Sequence, residues 1–439
     1  MSTWYIKYNN QKRPLSDWGI IKPILKLRNQ QVGTLEFSIA PDNINDDPVF
    51  PYDAILHLYQ DNVRRFRGRV TSLPVEGKAS ADRNKYVVSD PWWELDNVVY
   101  LEYVNVPDDI TRSNSSLHQI LISRVILFQT ILSNGSSVRC TNGAQIGKVL
   151  AFGASKIASS NAIQIGTIDP AITPPYEESH DLMCSEVLRR CLRWSPDSVC
   201  YFDYTTADPT INFRSRGALS ATNIDLNVAD LVTSWSCGAR YDLRPSGVTI
   251  FLQNEKMRTD GVIWNNYNPI SAGDVSTSLR QIVMTVPLDS TDTNKTDLAN
   301  LATQYWNSVK TLQYAGDIEI RESEPTFSLV PGKLLNLSNA RTEFATMNAV
   351  IQTCEIDIEV GITKASFGPP DQLGRQDLLE LIRNARLGGD STGLSSTGPS
   401  GVSSGYNSGG DMVSLQVCDT TTGTSKTISV KSFGSPSLV

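Results

Sequence analysis

Apolar and polar residues alternate with period two in Gly33-Thr34-Leu35-Glu36-Phe37-Ser38-Ile39, the pattern of a strand with one buried and one wet face. Ala54-Ile55-Leu56-His57-Leu58-Tyr59 and Phe66-Arg67-Gly68-Arg69-Val70 flank a short polar connection at Asp61-Asn62 and predict a hairpin. Lys85-Tyr86-Val87-Val88 predicts a further strand closed by Ser89-Asp90-Pro91, and Trp92, Trp93 and Leu95 then predict one helical turn.

The periodicity changes after residue 100. Leu117, Ile120, Leu121, Val125, Phe128 and Leu132 follow helical spacing behind Ser113, Asn114 and Ser115, all suitable N-caps. A Gly/Ser-rich β stretch follows. Leu182, Met183, Val187, Leu188 and Cys191 predict a second helix, starting near Ser179-His180-Asp181. It ends at Trp194-Ser195-Pro196-Asp197, because proline disfavours helix at the residue before it. Short strands are expected around residues 201–204, 210–213 and 248–252, and residues 256–295 read as loop-rich with one strand near 281–286. Leu298, Leu301, Ala302, Tyr305, Val309 and Leu312 predict a clean amphipathic helix.

The stretch after that helix mirrors the first hundred residues. Gly316-Asp317-Ile318-Glu319-Ile320 matches Gly33-Thr34-Leu35-Glu36-Phe37, and Lys333-Leu334-Leu335-Asn336-Leu337 matches Ala54-Ile55-Leu56-His57-Leu58. Ala349-Val350-Ile351-Gln352 stands for Gly68-Arg69-Val70-Thr71, and Lys364-Ala365-Ser366-Phe367-Gly368-Pro369 for the stretch from Lys85 to Pro91. Leu58 to Pro91 spans 33 positions and Leu337 to Pro369 spans 32. Two β-meanders can align loosely through strand period alone, but four elements in one order favour an internal repeat. Three such chains around an axis would present six similar units, a geometry able to mate with a six-fold ring.

Composition narrows the chemistry. The 439 residues are 40% hydrophobic and 19% charged, with 29 Gly and 22 Pro, as in a β-rich chain with sizeable cores. The net charge of −7 argues against phosphate gripping. The basic run Arg64-Arg65-Phe66-Arg67-Gly68-Arg69 reads as a solvated or interface strand rather than a nucleic-acid site. Seven scattered cysteines without a CxxC suit buried thiols in a reduced compartment. The start lacks signal-peptide regions, and residues 120–132 are too interrupted to span a bilayer, so a soluble protein made in the cytoplasm is expected.

No metal or cofactor site emerges. His180 and Cys184 stand four apart on the expected helix, but no second His, CxxC or paired carboxylate accompanies them. Glu177-Glu178 beside Pro174-Pro175 reads as a solvated loop rather than a glycosidase pair. No G-x-S-x-G, H-E-x-x-H or P-loop is present, and no enzyme is expected. Glu355, Asp357 and Glu359 alternate with Ile356, Ile358 and Val360 as a strand with one wet face, which in a pore could line a lumen and repel nucleic acid.

The hairpin turned at Glu359-Val360-Gly361, closing at Phe367-Gly368-Pro369-Pro370 and entering Gln376-Asp377-Leu378-Leu379-Glu380-Leu381-Ile382, resembles tail proteins of tailed bacteriophages. Phe66-Arg67-Gly68-Arg69-Val70, the run from Trp194 to Tyr204, and the repeat itself are similar to the baseplate and tail-tip hub family. That family is related to late-control proteins and to the hub of type VI secretion spikes. The resemblance covers about residues 1–387, and its motifs are diffuse.

The resemblance implies a mainly β fold with α+β insertions and two tail-tube-like β-barrel or sandwich domains in one chain. The expected division is a first tube-like domain at 1–100, a middle α/β domain at 101–205, and a second tube-like domain at 206–370 carrying the loop-rich insertion. A C-terminal helix at 371–387, a Gly/Ser linker at 388–410 and a β-hairpin docking segment at 411–439 complete it. It further implies a homotrimer, joined to a tail tube or distal tail ring, with a central spike or tip protein below and tape-measure protein in the channel. Such a protein sits in the virion at the tail tip, after assembly in the host cytoplasm. No fused spike or wall-digesting domain is recognised, and neither sequence-specific nucleic-acid binding nor membrane insertion is implied.

Candidate contact residues are Arg64, Arg65, Arg67, Trp92 and Trp93, with burial within the first domain's own core the alternative for the tryptophans. Met412, Leu415, Val417, Ile428 and Val430 mark two alternating strands, marginal as an isolated hairpin and suited to strand addition on a neighbour or spike; a disordered tail is the alternative. The rival function is a receptor- or glycan-binding tail-tip protein using Trp264 and Tyr267.

Overall fold

The computed structural model describes residues 2–39, 49–73, 75–76, 83–107, 117–131, 137–158, 161–228, 231–257, 263–276, 281–288, 298–370, 413–418 and 425–430. The chain divides into two units, Met1–Ser391 and Thr392–Val439.

The fold is mainly β, and the first unit contains the same five-strand arrangement twice. Ile20–Arg28, Thr34–Ile39, Arg83–Ser89, Val63–Ser72 and Ile55–Gln60 lie side by side, each antiparallel to the next. Val232–Arg240, Gln313–Arg321, Ile362–Phe367, Ala349–Asp357 and Lys333–Ser338 repeat that order and those directions. The copies differ at the outer strand. Trp4–Tyr8 runs antiparallel to Ile55–Gln60, whereas Ser220–Asp225 runs parallel to Lys333–Ser338.

A shared irregularity fixes the correspondence. Register shifts between Val70 and Ser72 in one copy and between Ile351 and Thr353 in the other, so Thr71 and Gln352 are equivalent bulge residues. Val70 then matches Ile351, Val88 matches Phe367, and Leu56 matches Leu335. Three of the four sequence matches therefore hold in register. The first is two residues out: Val88 faces Leu35, but Phe367 faces Gly316, so Gly316 corresponds to Leu35 rather than Gly33. An even slip keeps every side chain on its own face, which is why period-two patterning could not detect it.

Each copy has its own core. Phe37 stacks on Tyr86 with ring centroids 5.1 Å apart in the first, and Ile318, Leu335, Ile351 and Phe367 are buried in the second. The copies are joined edge to edge, because Thr353, Cys354, Glu355, Ile356 and Asp357 pair antiparallel with Arg28, Leu27, Lys26, Leu25 and Ile24. Cys354 and Ile356 enter the first copy's core, so the seam is sealed on one side by apolar contact.

A third core departs from the sequence expectations. Residues 117–131 are not a helix: Leu117–Ile122, Val125–Leu127 and Gln129–Ile131 are strands. Their Ile, Val and Thr content suits strands, and Phe128 sits at φ 64, a left-handed conformation that a helix cannot contain. The helix lies instead at Asn142–Lys156, within the stretch expected to be β. Gly143, Gly147 and Gly153 disguised it, yet a side chain at Gly143 would place its Cβ 2.1 Å from the Pro170 carbonyl. Thr141 caps it by accepting from the Ala144 N–H, and Ile146, Val149 and Leu150 form its buried stripe.

The expected helices at Cys184–Arg193 and Leu301–Val309 are present. The region expected to be loop-rich carries the eleven-residue strand Ile263–Gly273 between Gly247–Met257 and what precedes Gln281–Leu288 in sequence; in space Gly247–Met257 is central, with the other two strands on either side. This sheet and Leu301–Val309 belong to the third core, where Tyr305 meets Trp194 edge-on at 6.2 Å.

The expected helix at 371–387, the linker at 388–410 and Met412 lie outside the described residues. In the second unit Val413–Cys418 pairs antiparallel with Ser425–Val430, placing Leu415 opposite Ile428 and Val413 opposite Val430.

Candidate functional site

The wet face of the joined sheet carries a row of alternating charges that crosses the seam. Glu319 lies opposite Lys364, Lys364 opposite Glu355, and Glu355 opposite Lys26. Lys26 Nζ then reaches Glu36 at 3.0 Å, and Lys85 reaches the same carboxylate at 3.8 Å. Lys364 sits 3.4 Å from Glu319 at the other end. The acidic face expected at Glu355, Asp357 and Glu359 is therefore interleaved with lysines. Strand pairing brings in Lys364 from the facing strand of the same hairpin and Lys26 from the other repeat, so the face is charge-balanced rather than repulsive.

Two backbone edges complete the arrangement. Among the described residues Val232–Arg240 has a strand neighbour on one side only, and Thr233, Ser234, Trp235 and Ser236 are exposed there. Its counterpart Ile20–Arg28 has neighbours on both sides, one being the 353–357 segment of the second copy. Ser72 and Val75–Glu76, which occupy the place of 353–357 in the first copy, pair only with Arg83–Ser89 among the described residues.

The arginine strand turns inward. Arg64 is buried, and its Nε donates to the Tyr204 carbonyl at 2.8 Å and its Nη2 to the carbonyls of Ala207, at 2.9 Å, and Thr206. Arg67 is buried against Asp208, 2.7 Å away. Arg65 is half-buried, with its guanidinium 4.2 Å over the Phe327 ring. Trp92 is 1% exposed inside the third core and Trp93 is half-buried. Arg64, Arg67 and Trp92 are thus interior residues of this chain, because a loop of carbonyls and a packed core already occupy the faces a partner would need.

In sequence Asp90 marks only the end of a strand. It caps the helix Pro91–Leu95 by accepting from the Trp92 N–H at 3.0 Å, and it accepts from the Tyr204 hydroxyl at 3.1 Å. Burial pushes its carboxyl up to about 7, against the pull of the Gly33 N–H, Tyr204 and Trp92 N–H. Asp-Pro ahead of an apolar turn was the available signal. Nearby His57 is pushed down to about 4, first by burial and then by Arg67 and Arg64.

The other chemical candidates disperse. His180 is exposed and lies 3.0 Å from Glu178, whereas Cys184 is buried, and no group of three metal-ligating side chains forms among the described residues. Glu177 is not a solvated loop residue; it is buried on a short strand and paired with Arg190 at 2.9 Å. Cys184, Cys191, Cys200 and Cys354 are buried, which raises their thiols. Among the described residues no helix is long and apolar enough to cross a membrane.

No family model and no curated protein matches the sequence. Solved structures resemble its fold. The prophage tail protein gp18 from Listeria monocytogenes is 8% identical, with a TM-score of 0.50 over 88% of this chain and 100% of its own. The 43 kDa tail protein of prophage MuSo2 from Shewanella oneidensis is 11% identical, with a TM-score of 0.49 over 85% of this chain and 100% of its own. A type VI secretion component from E. coli is a weaker likeness, 8% identical with a TM-score of 0.45, over 84% of this chain and 77% of its own. The chain has the fold of a phage tail protein.

Proposed function

We propose that the chain is a structural component of a phage tail, a baseplate hub. Three copies close into a ring of six repeat units around a channel, adapting a hexameric tail tube to a central spike or tip. The observation that carries this reading is the internal seam. The second copy's fourth strand, Ala349–Asp357, pairs with the first copy's first strand, and among the described residues the equivalent pair of edges has no strand neighbour in the same chain. Repeating the seam between chains joins Val232–Arg240 of one to the 72–76 segment of the next. That contact is head-to-tail, so it closes into a ring when its rotation allows.

In such a ring the charge row would face the channel. Paired Lys and Glu side chains give a polar wall without a strong field of either sign, suited to letting nucleic acid or tape-measure protein pass without gripping it. The hairpin of the second unit would dock a neighbour or a separate spike chain by strand addition.

The correspondence of bulges sets the register. Ile356 faces Leu25 in the internal seam, and their equivalents are Val75 and Cys237. A Val75→Cys variant should therefore form a disulfide with native Cys237 of the next chain on mild oxidation, giving a ladder ending at a covalent trimer on a non-reducing gel. Antiparallel partners lie within the Cα separation a disulfide accepts. Loss of the ladder in Val75→Cys/Cys237→Ser completes the result. Absence of any inter-chain product from an assembled ring contradicts this seam.

One observation favours a second reading. Tyr267 is 50% exposed on the inserted sheet, where its register neighbour is Gln253. A receptor- or glycan-binding tail-tip role would use that face. Binding of the isolated protein to host cells, lost in Tyr267→Ala, would support it; unchanged binding would remove it.

A further inference from the structure

A cleft of about 520 Å³ opens where the two repeats meet the third core. Arg28 and Arg65 reach it from the first repeat, Phe327 and Lys333 from the second, and Tyr201 and Asp203 from the strand between them. The chain as a whole carries −7, so an excess of cations here does not follow from composition.

The carboxylates of the cleft are already committed. Asp90 is buried beneath it and bonded to Tyr204 and the Trp92 N–H, and Asp203 accepts from the N–H and hydroxyl of Thr205 at 2.9 and 2.6 Å. Arg28, Arg65 and Lys333 form no ion pair among the described residues. Lys333 Nζ donates to the Ser220 hydroxyl at 2.9 Å, and Arg65 Nε to the Gln60 side chain at 3.0 Å. The Arg65 guanidinium lies 4.2 Å over the Phe327 ring, and among the described residues only its Nε donates a hydrogen bond, which leaves its outer edge for a carboxylate.

We propose that this cleft binds an extended acidic segment of a partner protein, carboxylates on Arg28, Arg65 and Lys333 and an apolar side chain against Leu219 and Val330 of the lining. Size argues against a lone small anion. At about 30 Å³ per water, one ion would leave most of the space to solvent, whereas the volume lies in the range of about 300–1,000 Å³ that holds larger ligands. Ring accessibility argues against single-stranded nucleic acid, which needs free aromatic faces for stacking. Arg65 covers Phe327, and the Gly332 backbone lies on Tyr201: a Cβ there would meet the ring at 2.6 Å. The inference goes beyond the hub reading and does not depend on ring closure.

The test is fluorescence anisotropy of full-length protein with a labelled hexapeptide of four glutamates and two leucines at low salt. A labelled oligothymidylate of equal charge serves as the competing class. Saturable peptide binding is expected, weakened at least tenfold by Arg28→Glu and by Lys333→Glu, with Arg341→Glu, an equal charge change outside the cleft, leaving it unaltered. If one cleft variant fails to fold, the other still decides. Absent saturation at millimolar peptide, preference for the oligothymidylate, or equal weakening by all three variants would overturn the proposal.

Discussion

Glu355 stands directly opposite Lys26 across the seam between the two repeats, and opposite Lys364 on its other side. One exposed carboxylate is thereby flanked by two ammonium groups on neighbouring strands. Like charges opposite each other in a sheet are destabilising, and an exposed pair is worth about 0.2–1 kcal/mol. Glu355→Lys should lower stability by about 1 kcal/mol through two new repulsions, and added salt should restore part of it. Urea melts at low and high ionic strength measure this; a salt-independent loss would mean that the row plays no electrostatic part.

Gly316 tests the tightest approach in the second copy. A Cβ there would lie 1.9 Å from the Ser236 carbonyl oxygen, which is backbone and cannot swing away. Gly316→Val should push Val232–Arg240 off its neighbour and cost about 1–3 kcal/mol or more. Hydrogen exchange should show faster exchange across 232–240, while the first copy's strands keep their protection.

Asp90 gives a pH signature. Its folded-state carboxyl lies at about 7 against an ordinary 3.8, so across that window the folded chain holds a proton that the unfolded chain has released. Its contribution therefore falls as pH rises through the window and is constant above about 7, at about 1.4 kcal/mol for each unit of pKa difference. Asp90→Asn keeps an acceptor for the Trp92 N–H and removes the buried charge. The variant should gain on the wild-type protein between pH 5 and pH 8, read as the difference in urea midpoints. A constant difference across that range would exclude Asp90 as the titrating group.

Tyr305 ties the inserted helix to the third core against Trp194 and is 2% exposed. Tyr305→Ala should cost about 3–5 kcal/mol, as truncations of large buried aromatic side chains do. Trp194 fluorescence should shift to the red, and a change in stability without that shift would place the damage elsewhere.

The repeat was legible because alternation at residues 33–39 and 316–320 reports a buried face directly. Its register was not, since a slip of two residues between Leu35 and Gly33 leaves every face unchanged. The helix at Asn142–Lys156 escaped because its glycines are there for close packing against Pro170 and Leu95, a tertiary demand that propensity cannot express. The strands at 117–131 carried apolar residues at helical intervals by chance, and only the left-handed Phe128 excludes the helix. Of the candidate site, the wet face of 355–359 could be read from spacing. Lys26 lies 329 residues before Glu355 and Lys364 on the facing strand of the same hairpin, so pairing alone reveals which lysines balance it. Arg64 and Arg67 were visible as a basic strand, but the carbonyls and carboxylate that bury them lie about 140 residues later.

The most direct test of the hub account is the mass of the full-length protein in solution, measured by light scattering across a concentration series. The account predicts a stable species of about 145 kDa, three times the 48.3 kDa chain. A strict monomer up to high concentration would contradict it, because the edge of Val232–Arg240 that has no strand neighbour among the described residues would then not pair with the 72–76 segment of a second copy.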